Sequence, residues 1–218
     1  MKFKYVNVAI IVCGLLAIAG SYNWPNRNFY YISKPATTIL ILFVALTAPA
    51  SKYKILIAIG MLFSLMGDIF LMLPSDQFLI GLVCFLITHI CYIVAFLFDS
   101  RLGRPLWPYV LLAAIAIAIF ELLSGGINAA MKFPVAIYAA ALSFMTAQAI
   151  ARNSQHRNKG TMLAAIGAIL FLISDTTLAY DRFVTGFDAA HALTLSTYYV
   201  AQYLIARSAK CRFALPGE

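Results

Sequence analysis

The sequence predicts an all-α protein: a polytopic membrane bundle of eight transmembrane helices forming a single domain over residues 1–218. Three observations predict it. The first is composition: 63% of the residues are hydrophobic and only 11% are charged, against about 25% charged in an ordinary soluble domain. The second is a series of eight apolar runs, each close to the ~20 residues that cross a bilayer. The third is an uneven distribution of Lys and Arg between alternate connections. A mean hydropathy of +0.88 agrees. Such a chain lacks the charged surface of a cytosolic globular enzyme and the solvating composition of a disordered one. Its net charge of +8 reads as topology signal and attraction to anionic lipid, not as a nucleic-acid footprint.

The apolar runs lie at about 5–20, 35–50, 53–73, 77–98, 106–123, 133–151, 161–180 and 188–207. The first follows Met1-Lys2-Phe3-Lys4 without an A-x-A-like cleavage site, so it is expected to be a spanning helix and not a signal peptide. Breakers separate the runs: Trp24-Pro25-Asn26, Lys34-Pro35, Pro49, Pro74-Ser75-Asp76, Gly103-Arg104-Pro105, Gly125-Gly126 and the polar stretch from Asn153 to Gly160. The connections are too short for a second, soluble domain. Cys13, Cys84, Cys91 and Cys211 form no CxxC pair and mostly sit in apolar runs, as buried fillers do.

With the N-terminus inside, 12 cations fall in inner segments: Lys2, Lys4, Lys52, Lys54, Arg101, Arg104, Arg152, Arg157, Lys159, Arg207, Lys210 and Arg212. Only 4 fall outside, namely Arg27, Lys34, Lys132 and Arg182. This bias predicts both termini in the cytoplasm of a bacterial-type inner membrane. A faint repeat accompanies the pattern. Ala58-Ile59-Gly60, Asp68, Leu71 and Tyr92 recur 107 residues later as Ala165-Ile166-Gly167, Asp175, Leu178 and Tyr199. Four helices per half would make this a parallel 4+4 repeat.

An ionisable side chain at the centre of a span costs roughly 2.5–3.5 kcal/mol on insertion scales, so the few present carry information. Asp68 lies in the third run, His89 near the middle of the fourth and Asp175 in the seventh. Glu121 ends the fifth, where water reaches it. Each inner residue shares a helix stripe with small or polar neighbours: Gly60, Ser64 and Gly67 with Asp68; Thr88 and Tyr92 with His89; Ser174 with Asp175. The last run adds Tyr198, Tyr199 and Gln202, and the sixth adds Tyr138 and Gln148. Polar atoms in a bilayer must find partners inside the bundle, which predicts one shared polar cavity opening toward the outer face. Ser64, Thr88 and Gln148 suit interhelical glue, and His89 suits either a packed histidine or a functional one. Two buried aspartates make poor glue, because an unpaired buried charge is costly. Asp68 and Asp175 are therefore the candidate functional pair. Asp68, His89 and Asp175 come nearest to a three-ligand metal set, but no His-x-x-x-His spacing supports one, and neither metal nor cofactor is expected.

Several ordered motifs carry a family resemblance. They are Gly67-Asp68 with Leu71-Met72-Leu73-Pro74; Gly81, Phe85, His89 and Tyr92 as G-x3-F-x3-H-x2-Y; Phe171, Ser174, Asp175 and Leu178-Ala179; and Tyr198-Tyr199 with Gln202 and Leu204-Ile205. Lys34-Pro35 is placed at the start of the second helix, and Pro134-Val135 with Tyr138 at the start of the sixth. Together these resemble the YhhN-like lysoplasmalogenase family of eight-helix membrane proteins, from about Lys34 to the C-terminus. The resemblance implies an ether hydrolase that cleaves the vinyl-ether bond of a lysoplasmalogen, with a lysophospholipid substrate and membrane lipid as its partners. The products would be a fatty aldehyde and a glycerophospho-base. Asp68 and Asp175 would be its acid/base pair, supported by Lys34, His89, Tyr92, Tyr138, Ser174, Tyr198, Tyr199 and Gln202. Two carboxylates in one low-dielectric site suit that chemistry, and Lys34, with Arg27 as a second candidate, would meet the phosphate at the outer rim. Trp24, Tyr22, Tyr30 and Tyr31 read as an interfacial aromatic belt. The rival reading of the same paired aspartates is a lipid or proton-coupled small-molecule transporter.

Overall fold

A computed structural model describes residues 3–24 and 26–211; Lys2, Pro25 and Arg212, used in the sequence argument, lie outside them. The described residues form eight helices. They are α1 (Phe3–Ser21), α2 (Arg27–Leu46), α3 (Lys52–Met72), α4 (Phe78–Asp99), α5 (Trp107–Ser124), α6 (Ala129–His156), α7 (Lys159–Phe183) and α8 (Ala190–Cys211). Seven of them, α1 to α7, are long and apolar enough to cross a membrane. The eighth is long enough but less apolar, because the stripe it buries carries Tyr198, Tyr199, Gln202 and Ser208. Its neighbours are α7, α2, α1 and α3. A helix enclosed by other helices can hold polar atoms that lipid would reject.

Side-chain caps fix four of the N-termini. Asn26 accepts from the Asn28 amide at 2.9 Å, Ser51 from Lys54 at 3.1 Å and Asn128 from Met131 at 2.9 Å. Asn158 and Thr161 complete a reciprocal capping box on α7. Two starts differ from the sequence expectation. The second helix begins at Arg27, not near 35, and the sixth at Ala129, not near 133. Lys34-Pro35 and Pro134 therefore lie inside helices instead of opening them. The true signals were Asn26 and Asn128, cap residues that the prolines overshadowed. A proline removes only one helical hydrogen bond, and spanning helices tolerate the loss when neighbours cover the freed carbonyl. The consequence is large for Lys34, which sits two turns into α2 and points into the bundle.

Successive helices pair as α1–α2, α3–α4, α5–α6 and α7–α8, and the α3–α4 and α7–α8 contacts are the most extensive. Contacts of α2 with α8 and of α4 with α6 join the halves, while α5 stays peripheral on α6 and α7. The glycines at the 107-residue offset do the same work in both halves. A Cβ on Gly60 would come within 2.5 Å of the Tyr92 ring, and one on Gly167 within 2.8 Å of Ile205. Each lets the following helix approach closely, as small residues do in membranes. The outward faces carry large apolar side chains, among them Ile11, Leu15, Val110, Ile117 and Phe133. Fully buried Arg152 lies over the rings of Tyr53 and Phe96, at 4.9 and 5.3 Å. The four cysteines are all free thiols.

Candidate active site

The polar side chains gather into two clusters, one around each aspartate, and the two are built alike. Each aspartate is held by the preceding helix of its own half and by the last helix of the other half. Asp68 of α3 accepts hydrogen bonds from Thr38 of α2 at 2.7 Å and from Tyr198 of α8 at 2.8 Å. Lys34 of α2 lies 3.5 Å from its other oxygen, and both side chains of this ion pair are nearly closed to solvent. The ammonium also sits 5.5 Å from the centre of the Tyr30 ring. Two hydroxyl donors and a cation leave Asp68 well satisfied as a carboxylate.

A second layer braces Tyr198. Gln202, one turn further along α8, donates to Tyr198 at 3.4 Å and to Ser64 at 2.6 Å, and accepts from Tyr92 at 2.7 Å. Ser64 donates to Thr88 at 3.2 Å, and Thr88 donates to the Gly60 carbonyl at 2.9 Å. All of these are buried. The network fixes α3, α4 and α8 around Asp68 and leaves Gln202 with no free role at the surface.

Asp175 of α7 has a different set of partners. Tyr138 of α6 donates to its Oδ2, and His89 of α4 places Nε2 3.5 Å from the same oxygen. Nε2 is also 3.0 Å from the Tyr138 hydroxyl. Tyr138 has a single proton and directs it at Asp175, so His89 Nε2 must carry the hydrogen facing both oxygens. Asp175 is the more open of the two acids, with its side chain 10% exposed against 2% for Asp68. Beside it, Ser174 donates to the Thr194 carbonyl at 2.9 Å and ties α7 to α8.

Three aromatic rings stand between the clusters. Phe85, Phe171 and Tyr198 meet edge to face with centroids 5.6–6.2 Å apart, and His89 packs edge-on against Phe171 at 4.9 Å. Among the described residues no hydrogen bond joins the two carboxylates. What they share is a cavity of about 440 Å³ lined by Asp68, Asp175, Lys34, Ser174 and Tyr198. Its mouth carries Asp76, Arg182, Asp181 and His191. Arg182 bridges to Asp76 through both carboxylate oxygens, at 2.7 and 2.9 Å, and both residues are exposed. The two acids thus line one cavity from opposite sides of an aromatic partition, while Tyr92, His89, Tyr138 and Gln202 of the same stripes stand behind its lining.

Most of the sequence candidates meet here. Lys34, Asp68, Tyr198, Gln202 and Tyr92 belong to the first cluster, His89, Tyr138 and Asp175 to the second, and Ser174 to the wall. Tyr199 does not join them. It turns to the far side of α8, where a Cβ on Gly14 of α1 would lie 3.4 Å from its ring. Lys34 lies inside the bundle against Asp68 rather than free at the rim, because α2 starts earlier than expected. Two contributors escaped the sequence reading. Thr38 lies one turn beyond Lys34 on the same helix face, a spacing that marked it. Arg182 counted only as an outer charge, and nothing local distinguished it. Among the described residues, no group of three or more His, Cys, Asp or Glu side chains is placed to hold a metal ion.

The model of the YhhN family matches residues 29–209. This chain belongs to the YhhN family. Every residue of both clusters lies within the matched stretch, and α1 precedes it. Among curated relatives, human lysoplasmalogenase TMEM86A is 36% identical over 157 residues, covering 70% of this chain and 64% of the relative. Rat lysoplasmalogenase TMEM86B is 32% identical over 172 residues, covering 78% and 68%. Membrane protein YhhN of Escherichia coli O157:H7 is 23% identical over 202 residues, covering 92% and 96%. The matched stretch thus spans about two thirds of the length of the lysoplasmalogenase relatives. No solved structure matches the chain. With its apolar helices and a membrane-protein relative, this YhhN family member is an integral, multi-pass membrane protein.

Proposed function

We propose that this YhhN family member is an ether hydrolase that cleaves the vinyl-ether bond of a lysoplasmalogen to a fatty aldehyde and a glycerophospho-base. The observation that carries the reading is a buried carboxylate and a more open one facing one cavity with unlike partners: Asp68 with a lysine and two hydroxyls, Asp175 with a tyrosine and a histidine. The names of the mammalian relatives support it.

Hydrolysis of a vinyl ether begins with proton transfer to the alkene carbon remote from oxygen. Asp175, the more open acid, gives that proton, and the alkene electron pair forms the new C–H bond. The remaining oxocarbenium ion faces Asp68, whose charge is fixed in place by Thr38, Tyr198 and Lys34. Water adds to the cationic carbon, and the proton it loses goes back to Asp175, held in place by Tyr138 and His89. The hemiacetal collapses as its ether C–O bond breaks: Asp175 protonates the leaving glycerol oxygen, the hydroxyl proton is lost as the C=O bond forms, and that proton restores Asp175. A preset pair of unlike acids is what such a sequence requires, and each positioned proton transfer typically contributes 10²–10⁴-fold.

The lysolipid stands with its phosphate at the mouth, where Arg182 and His191 supply the cationic and donor groups. Both termini lie in the cytoplasm of a bacterial-type inner membrane, which places this mouth on the outer side. The test is a panel of lysolipids with a vinyl ether, a saturated ether or an ester at the same position, given to purified protein in detergent. Aldehyde from the vinyl ether alone is the expected result. Free fatty acid from the ester, or no product from any of them, refutes the reading. Turnover in detergent also separates an enzyme from a carrier, because transport needs a sealed compartment.

A further inference from the structure

A second, apolar pocket of about 70 Å³ adjoins the cavity at Asp175, and the two share Leu71, Phe78, Phe85, Leu178 and Asp175 as lining. Its far wall is Ala116, Ala139 and Ser143, and these three also line a groove of about 410 Å³ between α5 and α6. Three spaces therefore lie side by side and share walls: a polar chamber at the mouth, an apolar pocket beside the acid, and a furrow between α5 and α6.

The furrow exists because of its sequence. Ala113, Ala116, Ala136, Ala139, Ala140 and Ala147 line it, so two helices that pack together leave the space their side chains would otherwise fill. The peripheral position of α5 keeps its other side toward lipid. Between Phe120 and Tyr109, which both line the groove, α5 rises roughly 16 Å at 1.5 Å per residue. That matches one lipid chain, which spans half of a hydrocarbon core about 30 Å thick, or roughly 15 Å. The order of the spaces also matches a lysolipid: charged groups at the mouth, the acid next, and alanine-lined apolar surface beyond. A zwitterionic head group is excluded from the apolar pocket because nothing there would replace its water.

We propose that the α5–α6 groove is the binding subsite for the hydrocarbon chain of the substrate and the lateral exit of the fatty aldehyde into the membrane. This deepens, and rests on, the hydrolase reading of the same cavity. The apolar pocket holds the chain next to Asp175 and so sets which bond lies beside the acid. Chain-length preference is then a property of α5 and α6, not of the catalytic clusters.

The test fills the groove from residues that touch neither aspartate. Ala113→Phe and Ala140→Phe place a ring in the furrow at exposed positions, so folding is spared. Val110→Phe, on the lipid-facing side of α5, is the control. Each methylene kept out of an apolar site loses roughly a fourfold factor, so excluding two or more lowers kcat/KM for a long-chain lysoplasmalogen by at least tenfold. A short-chain homologue, which ends before the furrow, is cleaved as by wild type. Equal losses on both chains, or no loss on either, overturn the proposal. A second measurement stands apart from catalysis. A saturated-ether lysolipid with a photoreactive diazirine at the end of its chain is crosslinked to wild-type protein. Label on peptides of α5 and α6 supports the subsite, and label confined to other helices overturns it. If wild type releases no aldehyde while the label still maps to α5 and α6, the hydrolase reading fails and the chain site stands.

Discussion

Lys34 is where sequence and structure part most sharply, and Lys34→Met tests the difference. The ammonium lies 3.5 Å from Asp68, and neither side chain is more than 6% exposed. At an effective dielectric constant near 20, Coulomb's law gives about 5 kcal/mol for such a pair, before the desolvation of both ions is subtracted. The replacement keeps the bulk of the side chain and removes the charge, leaving the carboxylate with only Thr38 and Tyr198. Breaking one side of a buried pair typically costs 3–5 kcal/mol. Lys34→Met/Asp68→Asn removes both charges and keeps an acceptor for the two hydroxyls, so most of the loss should return. The expected coupling energy is about 3 kcal/mol, read from a double-mutant cycle of equilibrium unfolding in mixed detergent–dodecyl sulfate micelles. A cation free at the rim would behave otherwise: Lys34→Met would move stability by no more than about 0.5 kcal/mol and raise KM instead. Additivity of the two substitutions within about 0.5 kcal/mol would refute the buried pair.

Three further outcomes follow from the geometry. Gly60→Ala sets a methyl 2.5 Å from the buried Tyr92 ring and should destabilise by about 1–3 kcal/mol, whereas Gly125→Ala, with nothing within 4 Å, should be neutral in the same unfolding assay. Arg182→Gln should raise KM for a lysoplasmalogen roughly tenfold with kcat unchanged, as loss of a partly exposed charged hydrogen bond to phosphate requires, and steady-state kinetics read the split directly. Chelation by EDTA should leave the rate of aldehyde release unchanged, because the proposed proton transfers use only a carboxylate group.

The bundle was legible because the bilayer makes composition and length nearly decisive. Apolar runs, breakers and the Lys/Arg asymmetry located eight helices, most within a few residues of their observed bounds. The errors have a common physical source. Proline looked like a helix start at Lys34-Pro35 and Phe133-Pro134, yet asparagine caps at Asn26 and Asn128 open α2 and α6. Shifting α2 by two turns moved Lys34 from the rim into the site. The aspartates, His89, Tyr138 and Gln202 stood out because buried polar groups are few and must share partners. Helical periodicity could not say that Tyr198 faces Asp68 while its neighbour Tyr199 faces α1, since adjacent residues on a helix point about 100° apart and only packing selects one. Nor could it show that Asp68 and Asp175 sit on opposite sides of the Phe85–Phe171–Tyr198 partition, which depends on where four helices cross.

Whether the two carboxylates perform the hydrolysis is decided by single-turnover aldehyde release from a vinyl-ether lysolipid by wild type, Asp68→Asn and Asp175→Asn. Each variant is first shown to be folded by its gel-filtration peak in detergent. Asparagine keeps the shape and removes the proton-transferring group, so each substitution should slow the chemical step by at least about 10²-fold, and the double variant should be little slower than the worse single one. Near-normal aldehyde release by both folded single variants would contradict the account and leave Asp68 and Asp175 as structural groups.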